Sequence, residues 1–119
     1  VDITIYGIKN CDTMKKARAW LERHGVEHVF HDYKTEGIDR ARLRRWCGEV
    51  GWQALLNRAG TTFRKLPDAD KENIDERKAL ELMLAQPSMI KRPVLEMGQR
   101  VLVGFKPEEY EHAFGRRKR

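Results

Sequence analysis

The chain has 119 residues, 40% of them hydrophobic, and its 24 Lys and Arg against 18 Asp and Glu give a formal charge of +6. That length suits one ordinary globular domain, expected over 1–115, and is too short for two comfortable ones. No run approaches the roughly 20 apolar residues of a membrane helix, and the opening residues lack the charged region, apolar run and cleavage site of a signal peptide. A soluble, unsecreted protein with no membrane partner is therefore expected.

Ile3 and Ile5 alternate with polar or small neighbours up to Gly7, which predicts a first strand over 2–6. Met14, Ala17 and Leu21, joined by Trp20, recur at spacings of three and four, while Lys15, Lys16, Arg18, Glu22 and Arg23 take the other faces. This predicts an amphipathic helix closed at His24-Gly25. Residues 28–33 read as a second strand, so that strand, helix and strand place two parallel strands side by side. Asp39 looks like an N-cap for a helix whose buried stripe is Leu43, Trp46, Cys47 and Val50. A short helical turn is expected within 52–58. Residues 60–74 read as irregular, anchored by Phe63 and Leu66, with 68–72 a solvated loop. Asp75 caps a third helix carrying Ala79, Leu82, Met83 and Gln86, stopped by Pro87. Residues 94–97 and 100–103 are apolar runs joined by Gly98-Gln99, a leading glycine that suits a type II′ hairpin. Pro107 at a first helical turn, with Glu108 and Glu109 beside the positive end of the helix dipole, predicts a final helix to about Phe114.

A parallel strand pair, a helical stretch, an antiparallel pair and a closing helix form the order of an α/β, thioredoxin-like fold. It has a mixed four-stranded sheet with a helical insertion between the two strand pairs. Much of the positive excess falls in the tail Arg116, Arg117, Lys118 and Arg119, expected to be disordered over 116–119. Without an aromatic platform or a reading helix, nucleic acid ranks well below simple solvation as its role.

The chain has two cysteines, too few for a disulfide scaffold and at no zinc-ligand spacing. This favours a reducing, cytoplasmic setting and no metal. Cys11 falls where the first strand has ended and the first helix begins, so the unpaired amides of Asp12, Thr13 and Met14 and the helix dipole can stabilise its thiolate. Lys9, Lys15 and Lys16 add positive charge nearby. Cys47 lies in the apolar stripe of its helix and reads as core. Position 14, where a Cys-x-x-Cys motif would place a second thiol, holds Met14, so a disulfide cycle at Cys11 calls for an external thiol, and glutathione is the natural candidate. Pro93 can enter its strand through either a cis or a trans bond; if cis, Arg92 faces whatever binds there. His24 and His28 straddle Gly25 and cannot share a helical face as metal ligands. His31 and His112 lack companions.

Ile3-Thr4-Ile5-Tyr6 followed by Asn10-Cys11, then Ala54-Leu55-Leu56-Asn57-Arg58, then Lys91-Arg92-Pro93-Val94, resemble the glutaredoxin-linked arsenate reductase family, ArsC/Spx, across nearly the whole chain. Asn10-Cys11-Asp12-Thr13-Met14 and residues 56–66 look most like its YffB-like branch of glutathione-dependent thiol reductases. The resemblance implies a catalytic Cys11 and a substrate or glutathione site drawn from Arg92, Pro93, Arg58, Asn10, Lys9 and Lys106. Two positions depart from the family pattern: the arsenate reductases carry their middle arginine where this chain has Asn57, one residue before Arg58, and their third arginine meets Lys106. Lysine is a point charge without the planar bidentate contact of arginine. Asp12 also adds negative charge beside Cys11, so arsenate reduction ranks below thiol–disulfide chemistry with glutathione. The expected partners are glutathione as co-substrate and, to release product, a second glutathione or a glutaredoxin, with the chain a monomer. The alternative from another class is an Spx-like regulator that binds RNA polymerase, although that branch generally carries the Cys-x-x-Cys switch missing here.

Overall fold

The computed structural model describes residues 2–114; the basic tail 116–119 lies outside the described residues. In chain order the elements are β1 (Ile3–Gly7), α1 (Asp12–Arg23), β2 (Val29–Asp32), α2 (Tyr33–Glu36), α3 (Arg40–Val50), α4 (Trp52–Leu55), α5 (Thr61–Arg64), α6 (Asp68–Lys71), α7 (Glu76–Ala85), a 3-10 turn (Pro87–Met89), β3 (Val94–Met97), β4 (Arg100–Val103) and α8 (Pro107–Phe114). They divide into two compact units, one formed by the described residues 2–32 and 92–114, the other by Tyr33–Lys91. Among the described residues no helix is long and apolar enough to cross a membrane.

The first unit is a four-stranded mixed sheet of order β2-β1-β3-β4. β1 runs parallel to β2, while the β1–β3 and β3–β4 pairs are antiparallel. Side chains alternate across a strand, and Ile5 and Leu95 share the face that packs with Met14, Ala17, Trp20 and Leu21 of α1 and with Tyr110 of α8. Tyr110 meets the rings of Trp20 and Phe105 edge-on, at 5.4 and 4.8 Å between centroids. On the opposite face the Tyr6 hydroxyl donates to Glu96 Oε1 at 3.2 Å. Met97 pairs with Arg100, leaving Gly98 and Gln99 as the turn, and Gly98 takes the positive φ of 60° that a type II′ turn needs at its first position. Helix α1 closes in a Schellman motif: the Val26 amide donates to the Leu21 carbonyl at 2.9 Å and the Gly25 amide to the Glu22 carbonyl at 3.1 Å.

Two boundaries in this unit differ from the sequence reading. β1 continues through Gly7, which pairs with Asp32. Gly7 does not end the strand; a Cβ there would run into the Met14 thioether, with its Cε 2.8 Å away, so glycine is what lets α1 lie close to the strand. β2 spans Val29–Asp32 and not 28–33, because Tyr33 already opens a helical turn.

In the second unit Asp39 caps α3 by accepting from the Arg42 amide at 3.1 Å, and Asp75 caps α7 by accepting from the Lys78 amide at 2.9 Å. Leu43, Trp46 and Cys47 are buried on α3, and Ala79, Leu80 and Met83 on α7. Leu82 is only half-buried and Gln86 is exposed, which corrects the expected stripe. Pro87 does stop α7, with Gln86 as its C-cap, and then opens the 3-10 turn. Residues 60–74 are less irregular than expected, holding the single-turn helices α5 and α6; α6 replaces most of the loop read over 68–72. Tyr33 of α2 is buried and donates its hydroxyl to the Ile90 carbonyl at 3.0 Å.

Candidate active site

The site begins with the turn out of β1. Cys11 is the N-cap of α1, with extended backbone (φ −120°, ψ 128°), the position from which a side chain faces the amides two and three residues on. Those amides belong to Thr13 and Met14. The neutral thiol closes no cap hydrogen bond, so the donors remain available to a charged sulfur. Pairing of Tyr6 with Val94 sends the segment before β3 out of the sheet at the same end as the Cys11 loop. That segment is Arg92-Pro93, joined by a cis peptide bond, with the Pro93 carbonyl accepting from the Gly104 amide at 2.8 Å.

Three groups thereby converge on one half-buried sulfur. Burial pushes the Cys11 thiol up, but the Met14 amide, the Arg92 guanidinium and the Thr13 amide together outweigh it, and the thiol sits below its ordinary value. Lys9, Lys15 and Lys16 are exposed, where water screens their charge; the strong influences come from the helix start and Arg92. Asp12 is exposed in the first turn of α1, an N-terminal position that favours a carboxylate.

Of the other residues singled out from the sequence, Asn10 and Lys9 share the Cys11 loop and are exposed. Lys106 is exposed, and its carbonyl accepts from the Glu109 and Tyr110 amides at 2.9 and 3.1 Å at the start of α8. Arg58 belongs to the second unit, where its guanidinium lies over the Trp52 ring at 5.2 Å. Cys47, also in that unit, is 4% exposed; burial first, then the negative charge of Glu76, pushes its thiol up. Among the described residues no group of three or more His, Cys, Asp or Glu could hold a metal ion. His24 stacks on Trp20 with ring centroids 3.8 Å apart.

One residue was not singled out from the sequence. Arg18, on a face of α1 read as solvated, is half-buried with its guanidinium 4.6 Å above the Phe30 ring. Its spacing of four from the buried Met14 was the available signal.

Fold and site together define a class: thioredoxin-like domains with a lone cysteine at the first helix N-cap and an arginine–proline entry to the third strand beside it. The chain belongs to the ArsC family, whose model matches residues 6–113. It is 43% identical to an uncharacterised protein of Haemophilus influenzae, covering 94% of this chain and 98% of that one. It is 31% identical to the global transcriptional regulator Spx of Streptococcus pneumoniae, covering 90% of this chain and 81% of the relative. Among solved structures, a YFFB protein is 69% identical with a TM-score of 0.91, covering 93% of this chain and 97% of its own. An arsenate reductase (ArsC) related protein from Brucella melitensis is 62% identical with a TM-score of 0.77, covering 97% and 96%.

Proposed function

We propose that this chain is a thiol–disulfide oxidoreductase that uses glutathione as co-substrate and Cys11 as its nucleophile. The observation that carries the reading is a thiol held below its ordinary value, against its own burial, by two helix amides and Arg92, with a thioether at position 14 in place of a resolving thiol. The Cys11 thiolate attacks the glutathione sulfur of a mixed disulfide. The substrate S–S bond breaks, and the departing thiolate takes a proton from water. Cys11 is left joined to glutathione by a new S–S bond. A second glutathione thiolate then attacks that bond, restoring Cys11 and leaving as glutathione disulfide. The substrate is reduced, one free glutathione is oxidised for each substrate while the glutathione carried over from the mixed disulfide keeps its oxidation state, and no disulfide between two protein cysteines forms. Arg92 serves by favouring the thiolate and by facing the carboxylates of the incoming peptide.

The test is intact-mass spectrometry after incubation with oxidised glutathione. A single glutathione adduct on the wild type, absent from Cys11→Ser, is expected. No adduct on the wild type, or one that persists in Cys11→Ser, would remove Cys11 from this role.

Identity with Spx over most of that protein's length favours a second reading, a transcriptional regulator that uses the fold as a binding surface. Recovery of RNA polymerase with the wild type and with Cys11→Ser alike, in the absence of any glutathione adduct, would support it. Arsenate reduction is the weaker enzymatic alternative, because Lys106 supplies no fork of donors to a tetrahedral oxyanion.

A further inference from the structure

Between α1 and β2, beginning at Lys9 and at Met14, runs a groove of about 280 Å³ lined further by Lys15, Arg18, Glu22 and Phe30. Its walls carry three cations against one carboxylate, over a floor that includes a thioether and an aromatic ring. Arg18 is fixed over Phe30 at 4.6 Å, and its Nε, shielded from solvent, has no hydrogen-bond acceptor among the described residues. A shielded guanidinium N–H without an acceptor is uncommon in a folded protein and marks a place where an acceptor is accommodated.

We propose that this groove selects the disulfides that react at Cys11, favouring a small peptide that carries carboxylates over neutral or cationic disulfides. The proposal rests on the reading of Cys11 as nucleophile and adds to it the residues that discriminate, Lys15 and Arg18. The helix rise of about 1.5 Å per residue places Lys15 about 6 Å and Arg18 about 10 Å along the axis from Cys11. A peptide extends by at most about 3.5 Å per residue, so an arm of a tripeptide held at the sulfur passes Lys15 and approaches Arg18. A protein partner fits poorly, since a specific interface covers roughly 800 Å² per partner and this groove, at about 280 Å³, lies just below the small-molecule range of about 300–1,000 Å³.

The test is the rate of mixed-disulfide formation at Cys11 in the full chain with three probes: oxidised glutathione, hydroxyethyl disulfide and cystamine, which are anionic, neutral and cationic. The wild type should react in that order, and its preference for glutathione disulfide over hydroxyethyl disulfide should shrink as salt is raised. In Lys15→Gln/Arg18→Gln that ratio should fall about five- to tenfold, whereas Glu22→Gln should raise it. Lys15→Gln alone, a change at an exposed residue, keeps the test open if loss of the Arg18–Phe30 contact unfolds the double variant. A ratio unmoved by these changes, with Cys11 still reacting with hydroxyethyl disulfide, would overturn the groove assignment and leave the nucleophile intact. Failure of all three probes to react would overturn the nucleophile and the groove together.

Discussion

The starts of α1 and α3 each set a short side chain in front of unpaired amides and use them differently. At α3, in the second unit, Asp39 accepts from the Arg42 amide at 3.1 Å, so the donor is satisfied in the resting protein. At α1, in the first unit, Cys11 occupies the same position and closes no such bond. A carboxylate cap contributes about 1 kcal/mol to stability. A neutral thiol forgoes most of that, and the amides act instead on the charge that appears when it ionises. Stability and reactivity thus draw on the same donors, and the residue at the N-cap decides between them.

The widest separation between the two should come from making α1 resemble α3. Cys11→Asp should abolish the glutathione adduct completely and yet raise stability by about 1 kcal/mol, seen as an upward shift of the thermal midpoint of about 4 °C. Intact-mass spectrometry and calorimetry on the same sample check both halves. A variant less stable than the wild type would mean that the α1 amides are not open to a cap, and the contrast with α3 would collapse.

A smaller effect is expected from removing only the guanidinium. Arg92→Gln should raise the Cys11 thiol pKa toward its ordinary value and slow adduct formation near neutral pH several-fold, as the smaller thiolate fraction outweighs the greater nucleophilicity of the more basic sulfur. Titration of the thiolate ultraviolet absorbance reads the first and stopped reaction with hydroxyethyl disulfide the second. An unchanged titration would assign the whole lowering to the helix start.

The smallest effect compares the two cysteines through the pH dependence of stability. The Cys11 thiol is lowered in the folded protein, so its contribution is present above the unfolded thiol pKa of about 8.5 and is lost as pH falls through the lower folded value. The Cys47 thiol is raised, so its contribution is present below about 8.5 and is lost as pH rises through the higher folded value. Relative to the wild type, Cys11→Ser and Cys47→Ala should therefore change the pH slope of denaturant stability with opposite signs. Slopes of the same sign would show that one of the two environments has been misassigned.

Sequence legibility followed the length of the pattern. Helices α1, α3 and α7 each repeat their buried positions at spacings of three and four, over about two turns in α1 and more than one in α3 and α7, and start or end at a recognisable cap, and the hairpin is marked by Gly98. The single-turn helices α2, α5 and α6 went unread because one turn produces no period. α2 and α5 each bury one residue, Tyr33 and Phe63, and α6 buries none. Gly7 misled for a different reason, since a glycine that permits close approach looks the same in sequence as one that ends a strand. At the site, Cys11 was legible from its place between strand and helix, and the sheet register then brought Arg92 beside it, a long-range relation that local pattern cannot supply. The proline entry to the strand put Arg92 in view as one of two local possibilities, and the family resemblance favoured its place at the site. Arg18 was passed over because a charged residue on an amphipathic helix is counted as solvated, although its stem can lie along apolar surface.

Met14 packs against Gly7 at the position where a Cys-x-x-Cys motif would set a second thiol beside Cys11. A thioether neither donates nor accepts a disulfide bond, so within this loop nothing can intercept the sulfur once it has been capped. If Cys11 is the nucleophile as proposed, clearance of its cap then waits on free thiols from the surroundings. On that reading, the lifetime of a capped form would reflect both the supply of free thiol and the leaving tendency that the helix start and Arg92 give the Cys11 sulfur.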